Sequence, residues 1–267
     1  MKKYYDRQNN RLVFIQQQAN AEFWDDHWKN YDPLNTLPKY SFIEDYVTKT
    51  TKSFLPLNAL ILEGGCGLGQ QVYKLQKKGF RVTGIDFATK TVELVNKKMP
   101  ELDIRYGDIT AIEFPDNYFD GYWSFGVIEH FYEGYKPVML EMKRIVKPGG
   151  FVFLTFPHLS RLRKIKIKFN KYEEFKPEPS ELKQFYQFAL DFKQVAQEFE
   201  SEGFKLVFKK SLDGLKGLKD ELGIFRKPLQ KLYDSRNFFG MAIAKIISLL
   251  ISKFASHSIL LVLRKNN

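Results

Sequence analysis

Four glycines and one acid crowd into the stretch ILEGGCGLGQ, which begins at Ile61. Glu63 is followed by Gly65, Gly67 and Gly69, a spacing that departs from the G-x-G-x-x-G of dinucleotide-binding loops. A helix that starts after such a loop offers partial positive charge, which suits a carboxylate as well as a phosphate. The acid suits an ammonium. The loop therefore predicts a ligand that carries both groups, as an amino acid does.

Two further acids close predicted strands downstream of this loop. Asp86 ends VTGID, where a carboxylate can accept hydrogen bonds from both hydroxyls of a ribose. Asp108 ends RYGD, where a carboxylate can accept from an exocyclic amine such as that of adenine. Either acid alone could instead cap the helix that follows it. Together with the glycines they describe an amino acid, a ribose and an adenine, so the predicted ligand is S-adenosylmethionine.

The elements that must position these residues alternate between strands and helices. This alternation is typical of βαβ units with a parallel sheet, at whose carboxyl edge ligands bind. Strands are predicted at 58–64, 79–86, 102–108, 119–126, 149–157, 204–210 and 258–265, and helices at about 69–78, 89–99 and 135–146.

The motifs, in order, resemble those of the class I S-adenosylmethionine-dependent methyltransferases, and in particular of the group called type 11. The resemblance rests on LEGGCGLG, VTGID, YGDI, FPDNYFDGYWSFGVIEHF and RIVKPGG, and it covers about residues 20–158 and the last two strands. It implies an α/β fold with a Rossmann-like, seven-stranded sheet, helices on both faces, and a last strand antiparallel to the rest. An N-terminal helical cap and a C-terminal helical insertion before the last strand complete the expected architecture.

The resemblance also implies a role for each motif residue. Glu63, Gly65 and Gly67 would hold the methionine part, Asp86 the ribose, and Asp108 with Ile109 the adenine. The expected cofactor-binding set is Glu63, Gly65, Cys66, Gly67, Asp86, Phe87, Asp108, Ile109, Phe125 and Gly126. Cys66 enters this set as a small filler between glycines, because no base that could activate its thiol is nearby in sequence. Where the family more often has a bulkier apolar residue, this chain has Gly64, which we expect to loosen the loop.

Three regions of one continuous domain are expected: a cap over 1–50, the cofactor-binding core over 51–157, and an acceptor side over 158–267. Within the cap, AEFWDDHWKNY at 21–31 places its aromatic residues on one helical face. That face could pack on the sheet or form a lid over the cofactor.

His130, in VIEHF, is the candidate catalytic residue. It could accept a proton from an acceptor hydroxyl, or it could be a structural histidine bonded to a backbone carbonyl. Glu129 is a weaker candidate, either to orient His130 or to bind a metal. No dense cluster of ligating residues stands out, so no metal site is predicted.

The net charge of +11 is unevenly distributed. Residues 1–150 carry 20 Lys and Arg against 19 Asp and Glu, whereas residues 151–267 carry 22 against 12. Six of the basic residues lie in RLRKIKIKFNK at 161–171, which could be a solvated helix face or a clamp for an anionic acceptor.

A second C-terminal feature is FFGMAIAKIISLLISKF at 238–254. At helical period, Lys245, Ser248 and Ser252 form a narrow polar stripe on an otherwise apolar helix. This helix could pack on the domain or on the partner of a homodimer. Together with residues 161–171 it could instead make a peripheral membrane contact.

Three functional classes remain open from the sequence. The leading one methylates a small-molecule, glycan or lipid-linked acceptor at a hydroxyl oxygen. The second is an RNA or protein methyltransferase, although no RNA-binding module is recognisable and the basic run lacks interleaved aromatic residues. The third is a non-catalytic, cofactor-binding partner subunit. With no apolar leader and no run of 18 uncharged apolar residues, we expect a cytoplasmic protein, at most peripheral to the inner membrane face.

Overall fold

A computed structural model describes residues 1–36, 45–176, 182–235 and 237–267, without the side chains of 224 and 238. The strands are β1 (Lys2–Asp6), β2 (Arg11–Ile15), β3 (Leu60–Gly64), β4 (Arg81–Asp86), β5 (Asp103–Tyr106), β6 (Phe119–Phe125), β7 (Val146–Pro157), β8 (Glu173–Glu174), β9 (Phe185–Ala189), β10 (Phe204–Leu212) and β11 (Ser258–Lys265). The helices are α1 (Ala21–Trp28), α2 (Pro33–Thr36), α3 (Tyr46–Phe54), α4 (Gln70–Gln76), α5 (Thr89–Lys98), α6 (Lys136–Ile145), α7 (Arg161–Lys168), α8 (Phe192–Ser201), α9 (Gly214–Glu221), α10 (Arg226–Tyr233) and α11 (Phe238–Ala255).

Seven strands form the central sheet in the order β10-β11-β7-β6-β3-β4-β5. The pairs from β7 to β5 are parallel, and β11 runs antiparallel to both β7 and β10. The predicted fold class is therefore confirmed, including the antiparallel last strand. Because the chain leaves β3 for β4 and later returns to β6, the carboxyl ends of β3 and β6 flank the crevice where open α/β sheets bind ligands.

Alternating apolar residues along these strands build one core layer on each face of the sheet. Leu62, Tyr122 and Leu154 point into the layer shared with α6 and α8. Ile61 and Trp123, one residue away from Leu62 and Tyr122, point into the layer shared with α3, α4 and α5. This period of two is the reason that helices cover both faces.

The first fifteen residues form strands rather than part of a helical cap. β1 and β2 make an antiparallel hairpin, closed where the Asp6 carboxylate accepts from the Asn9 amide and Asn10 adopts a φ of +46°. The hairpin joins a second sheet of order β8-β1-β2-β9, whose β2 residues are buried. The helical part of the expected cap is thus limited to α1, α2 and α3, and residues 37–44 lie outside the described structure.

The C-terminal helical insertion is present between β10 and β11. Within it, α11 packs closely on α9, because Gly214 and Gly217 bring the two backbones together. A Cβ on Gly217 would lie 1.8 Å from the carbonyl oxygen of Ala255, and one on Gly214 would lie 2.3 Å from that of Ser248. Only glycine permits this approach.

Candidate cofactor and acceptor site

The loop after β3 turns in a conformation that favours glycine. Gly65, Gly67 and Gly69 have φ values of +75°, +49° and +70°. The amides of Gly65 and Cys66 both donate to the carbonyl of Ile85, at 2.8 and 3.1 Å. The loop is therefore fastened to the end of β4 and leads directly into α4.

Gly64 does not leave a gap at this loop. A Cβ on Gly64 would lie 1.9 Å from the hydroxyl oxygen of Tyr122 and 3.2 Å from Cγ2 of Ile109. The Tyr122 side chain thus fills the space that a bulkier residue would occupy, so the loosening expected from the sequence is not what the structure shows. Ile109, expected at the adenine, is buried against the same spot.

Glu63 is a buried acid with an unsatisfied oxygen. Glu63 is 3% exposed, and its Oε2 has no hydrogen-bond partner among the described residues. Burial raises the pKa of Glu63 to about 8, with only a partial offset from the Val72 amide and the charge of Lys74. An ammonium placed here would supply both the missing hydrogen bond and the missing charge. The residues present therefore fit the amino group of S-adenosylmethionine.

Asp86 ties the strand end to the glycine loop. Its Oδ2 accepts from the Gly67 amide at 2.8 Å, and its Oδ1 accepts from the Ala88 amide at 2.9 Å. Burial raises the pKa of Asp86, and these backbone donors act against that rise. Each carboxylate oxygen still has a second lone pair, so Asp86 can shape the loop and accept from ribose hydroxyls at once.

Asp108 and Phe87 lie at the open rim of this edge. Asp108 is exposed, and its Oδ1 accepts from the amide and hydroxyl of Thr110, both at 2.8 Å. Phe87, which follows Asp86 directly, is 41% exposed. These side chains are available to a ligand that extends outward from the glycine loop, as the adenosine of S-adenosylmethionine would.

Three other residues of the expected set contact the core as well as the crevice. The Cys66 thiol faces Gly84, and burial raises its pKa well above the usual range, so Cys66 offers its backbone rather than a nucleophile. Phe125 stacks on Trp123 with ring centroids 4.5 Å apart. Gly126 has a φ of +67°, and a Cβ there would lie 3.3 Å from an oxygen of Glu129.

His130 is held by the second sheet. Its Nδ1 lies 2.6 Å from the carbonyl oxygen of Tyr186, which makes Nδ1 the protonated nitrogen and leaves the lone pair on Nε2. Burial lowers the pKa of His130 to about 4, although the carbonyls of Tyr186 and Gly126 act in the other direction. At neutral pH the ring is therefore uncharged and can accept a proton, but only as a weak base.

Glu129 is a second buried acid beside this histidine. It is 2% exposed, burial raises its pKa to about 8, and its Oε2 has no hydrogen-bond partner among the described residues. The sequence ranked it below His130, because nothing in the chain reveals that its carboxylate is buried. Tyr186 was missed altogether, since it lies on β9, a strand that the sequence analysis did not predict.

The aromatic face of α1 covers the crevice. The Trp28 ring lies 3.4 Å from where a Cβ on Gly67 would be, and the Trp24 ring contacts His130 edge-on with centroids 5.3 Å apart. Asp25, on the other side of α1, accepts from the amide and the hydroxyl of Thr91, both at 2.9 Å. The helix is thereby fixed at the start of α5, which supports its interpretation as a lid.

A cleft of about 500 Å³ opens beside His130. Three aromatic side chains, two from the turn after β6 and one from the start of β9, contribute to its wall. The lining includes Phe131, Tyr132 and Phe185, with Glu133 and Lys183 as its charged groups. Over the described part of the chain, no group of three or more His, Cys, Asp or Glu side chains is arranged to hold a metal ion.

Comparison with known proteins agrees with this geometry. A family model described as a methyltransferase domain matches residues 62–154. A demethylmenaquinone methyltransferase of Bacillus licheniformis is 29% identical over 132 residues, 47% of this chain and 56% of that protein. A 2-methyl-6-phytyl-1,4-hydroquinone methyltransferase of Synechocystis is 34% identical over 106 residues, 38% of this chain and 33% of that protein.

The shared segments thus cover less than two thirds of these relatives' own lengths. Among solved structures, a SAM-dependent methyltransferase from Methanosarcina mazei matches 84% of this chain and 99% of its own, with a TM-score of 0.57 and 16% identity. That likeness shows the fold alone. Fold, cofactor crevice and family model agree, and S-adenosylmethionine is the cofactor they imply. Residues 62–154 are a methyltransferase domain of the class I, S-adenosylmethionine-dependent kind.

Proposed function

We propose that the enzyme methylates a small-molecule acceptor with an apolar body and a phenol-type hydroxyl, at the hydroxyl oxygen. The observation that carries this proposal is the aromatic cleft beside His130. A cleft of about 500 Å³ suits a small ligand, since ligand pockets usually span about 300–1,000 Å³. Its aromatic wall favours a planar or hydrocarbon group over a sugar.

The weak basicity of His130 supports an acidic hydroxyl. A histidine whose pKa is about 4 accepts a proton more readily from a phenol, with a pKa of about 10 as in tyrosine, than from a water-like hydroxyl near 15.7. When bound, S-adenosylmethionine supplies a methyl group on a positively charged sulfur, which is a good leaving group. The acceptor oxygen would gain the methyl, its proton would pass to Nε2 of His130, and the electron pair of the broken C–S bond would stay on sulfur.

The rest of the chain contributes alignment and exclusion of water. The glycine loop and Asp86 position the methyl donor, and the lid helix α1 closes over the crevice. Two relatives are named for demethylmenaquinone and for a phytyl hydroquinone. Those names favour a ring with hydroxyl groups and an apolar tail for this chain as well, which would be a small-molecule acceptor with lipid character.

Part of the basic run that would favour a nucleic-acid acceptor is committed to the fold. Of the six basic residues in 161–171, Arg163 is buried against Glu221, Lys164 pairs with Asp191 at 2.7 Å, and Lys166 also pairs with Glu221. Half of the basic residues in this run therefore form ion pairs within the protein and are not free to bind a phosphate backbone.

The test is transfer of a deuterated methyl group. The full chain is incubated with methyl-deuterated S-adenosylmethionine and, separately, with a prenylated hydroquinone, a simple phenol, an aliphatic alcohol and RNA. We expect a labelled product from the hydroquinone or the phenol, with fragment masses that place the label on oxygen. A label on a ring carbon would refute the position but not the acceptor class. Labelled RNA, or no product from a chain that binds the cofactor, would refute the proposal.

A further inference from the structure

Helix α11 faces solvent with its large apolar side chains. Leu249 and Leu250 are 60% and 77% exposed, and three further exposed apolar residues lie near them on the helix. These are Ile243, Ile246 and Phe254. A helix on a soluble surface normally shows the reverse arrangement, with its apolar stripe turned inward.

Small residues of α11 make its closest contacts with α9. Ser248 and Ala255 meet the two glycines of α9, and the Ser248 hydroxyl accepts from the Leu215 amide at 3.3 Å. The polar stripe of Lys245, Ser248 and Ser252 is therefore turned inward at its serines, and of the three only Lys245 is exposed. Because the backbones of α9 and α11 are in close contact at Gly214 and Gly217, α11 cannot rotate to bury its apolar face without breaking that contact.

Positive charge surrounds this face. Residues 222–257 contain six Lys and Arg and a single acid, Asp234. The described cations are all exposed, and the described residues provide them with no ion-pair partner. They are Arg226, Lys227 and Lys231 on α10, and Lys245 and Lys253 on α11 itself.

Helix α7 extends the same surface. It contacts α11, and Ile165 in its second half and Phe169 directly after it are exposed, at 43% and 66%. Lys168 and Lys171 are exposed beside them. The part of the basic run that is not committed to ion pairs thus continues the apolar and basic surface of α11.

We propose that α11 and the end of α7 dock the enzyme onto the surface of an anionic lipid bilayer. Apolar burial and attraction of lysines to anionic headgroups are two separate signals, and stable membrane anchoring usually takes two. No helix in the described parts of the chain has the length and apolar character needed to cross a bilayer, so α11 would lie along the surface. This inference does not depend on the acceptor proposed above.

A second copy of the chain fits this surface less well. In a twofold dimer the same patch meets itself, so Lys245 and Lys253 would face the cations of the partner. With one acid in residues 222–257, such an interface would leave most of these charges unopposed. Anionic headgroups would instead neutralise them.

The experiment is flotation of the full chain with vesicles of phosphatidylcholine alone and of phosphatidylcholine mixed with phosphatidylglycerol. We expect binding to the mixed vesicles that weakens but persists as salt rises from about 0.1 to 1 M, because the Debye length falls from about 10 to 3 Å. Leu250→Asp should lower the vesicle partition coefficient by about 10- to 100-fold at both salt concentrations. Lys245→Glu with Lys253→Glu should lower it only at low salt.

Matched controls use positions away from this surface. Leu57→Asp replaces another exposed leucine, at 61%, and Lys97→Glu reverses an exposed charge on α5. Both should float as the wild type does, and all variants should keep the wild-type melting temperature within a few degrees. Failure of the folded wild type to float at low salt would overturn the proposal. The proposal would also be overturned if the chain never bound vesicles but formed a dimer that Leu250→Asp dissociates. In that case α11 would be an interface between two copies of the chain.

Discussion

The carboxylate of Asp86 accepts a 2.8 Å hydrogen bond from the amide of Gly67, a residue 19 positions earlier in the chain. One side chain at the end of β4 therefore sets the conformation of the loop after β3. The acid expected to hold the ribose is also the acid that shapes the place where the methionine part would lie.

Asp86→Ala should lower the affinity for S-adenosylmethionine by at least about tenfold, since each hydrogen bond to a charged group is worth about 1.5–3 kcal/mol. It should also lower the melting temperature, because the Gly67 and Ala88 amides lose their acceptor. Asp86→Asn keeps one acceptor oxygen, so its affinity and melting temperature should lie between those of the wild type and Asp86→Ala. Calorimetric titration of all three proteins measures this. Equal affinity in wild type and Asp86→Ala would show that Asp86 does not contact the ligand.

The role of His130 can be read from pH as well as from mutation. If it accepts the proton, His130→Ala should lower kcat about 10²- to 10⁴-fold and leave cofactor affinity nearly unchanged. Because burial lowers the pKa of His130 to about 4, the ring stays neutral above about pH 5 and should cause no loss of rate between pH 6 and 8. A joint fall in cofactor affinity and melting temperature, with kcat retained, would identify a structural histidine.

Glu221 is the acid that anchors the basic helix α7. Its carboxylate lies 3.0 Å from Nε of Arg163, and both side chains are almost fully buried. Burial alone would raise the pKa of Glu221, but Arg163, Lys3 and two hydrogen bonds lower it to about 2. Glu221→Gln leaves the buried Arg163 without its counter-charge.

We expect Glu221→Gln to lower the free energy of unfolding by about 3–5 kcal/mol at pH 7. The pKa of Glu221 in the folded protein lies below its unfolded value of about 4.3. The ionised carboxylate therefore stabilises the folded state above about pH 4.3, and this stabilisation is lost as the pH falls toward 2. The difference between wild type and variant should therefore shrink over this interval. Urea unfolding at several pH values measures it, and a difference that is constant with pH would argue against an ionised Glu221.

The close contact between α9 and α11 leads to a separate prediction. Gly217→Ala adds a methyl group 1.8 Å from the Ala255 carbonyl oxygen, so the helices must separate. We expect a loss of about 1–3 kcal/mol in the free energy of unfolding, as for other overpacked sites. Gly223→Ala is the control, because a Cβ there meets nothing within 4 Å. If both variants unfold at the same urea concentration as the wild type, the close contact is not formed.

The sequence predicted the parallel strands of the central sheet around the glycine loop because they end at local signals. Glu63, Asp86 and Asp108 follow short apolar runs, and helical segments separate them. The second sheet had no such signal, since it pairs Ile15 with Phe185 across the length of the chain. No local pattern determines a pairing of that kind.

The charged residues show a similar limit. In the sequence, Arg163 looks like one member of a solvated basic run. In the structure it is fully buried, because Glu221 on another helix forms an ion pair with it. The sequence left open which side of α11 packs on the protein, for a related reason. Only the glycines of α9 allow the small side of that helix to pack inward, and their position opposite Ser248 is a property of the fold.

The most direct test of the account is calorimetric titration of the full chain with S-adenosylmethionine at pH 7 in two buffers of different ionisation enthalpy. Since burial raises the pKa of Glu63 to about 8, its carboxyl is mostly protonated before binding and must ionise to hold the ammonium. We predict release of nearly one proton per cofactor bound, affinity that rises with pH between about 6 and 7.5, and loss of both effects in Glu63→Gln. Absence of binding, or binding without proton release that Glu63→Gln leaves unchanged, would contradict the account.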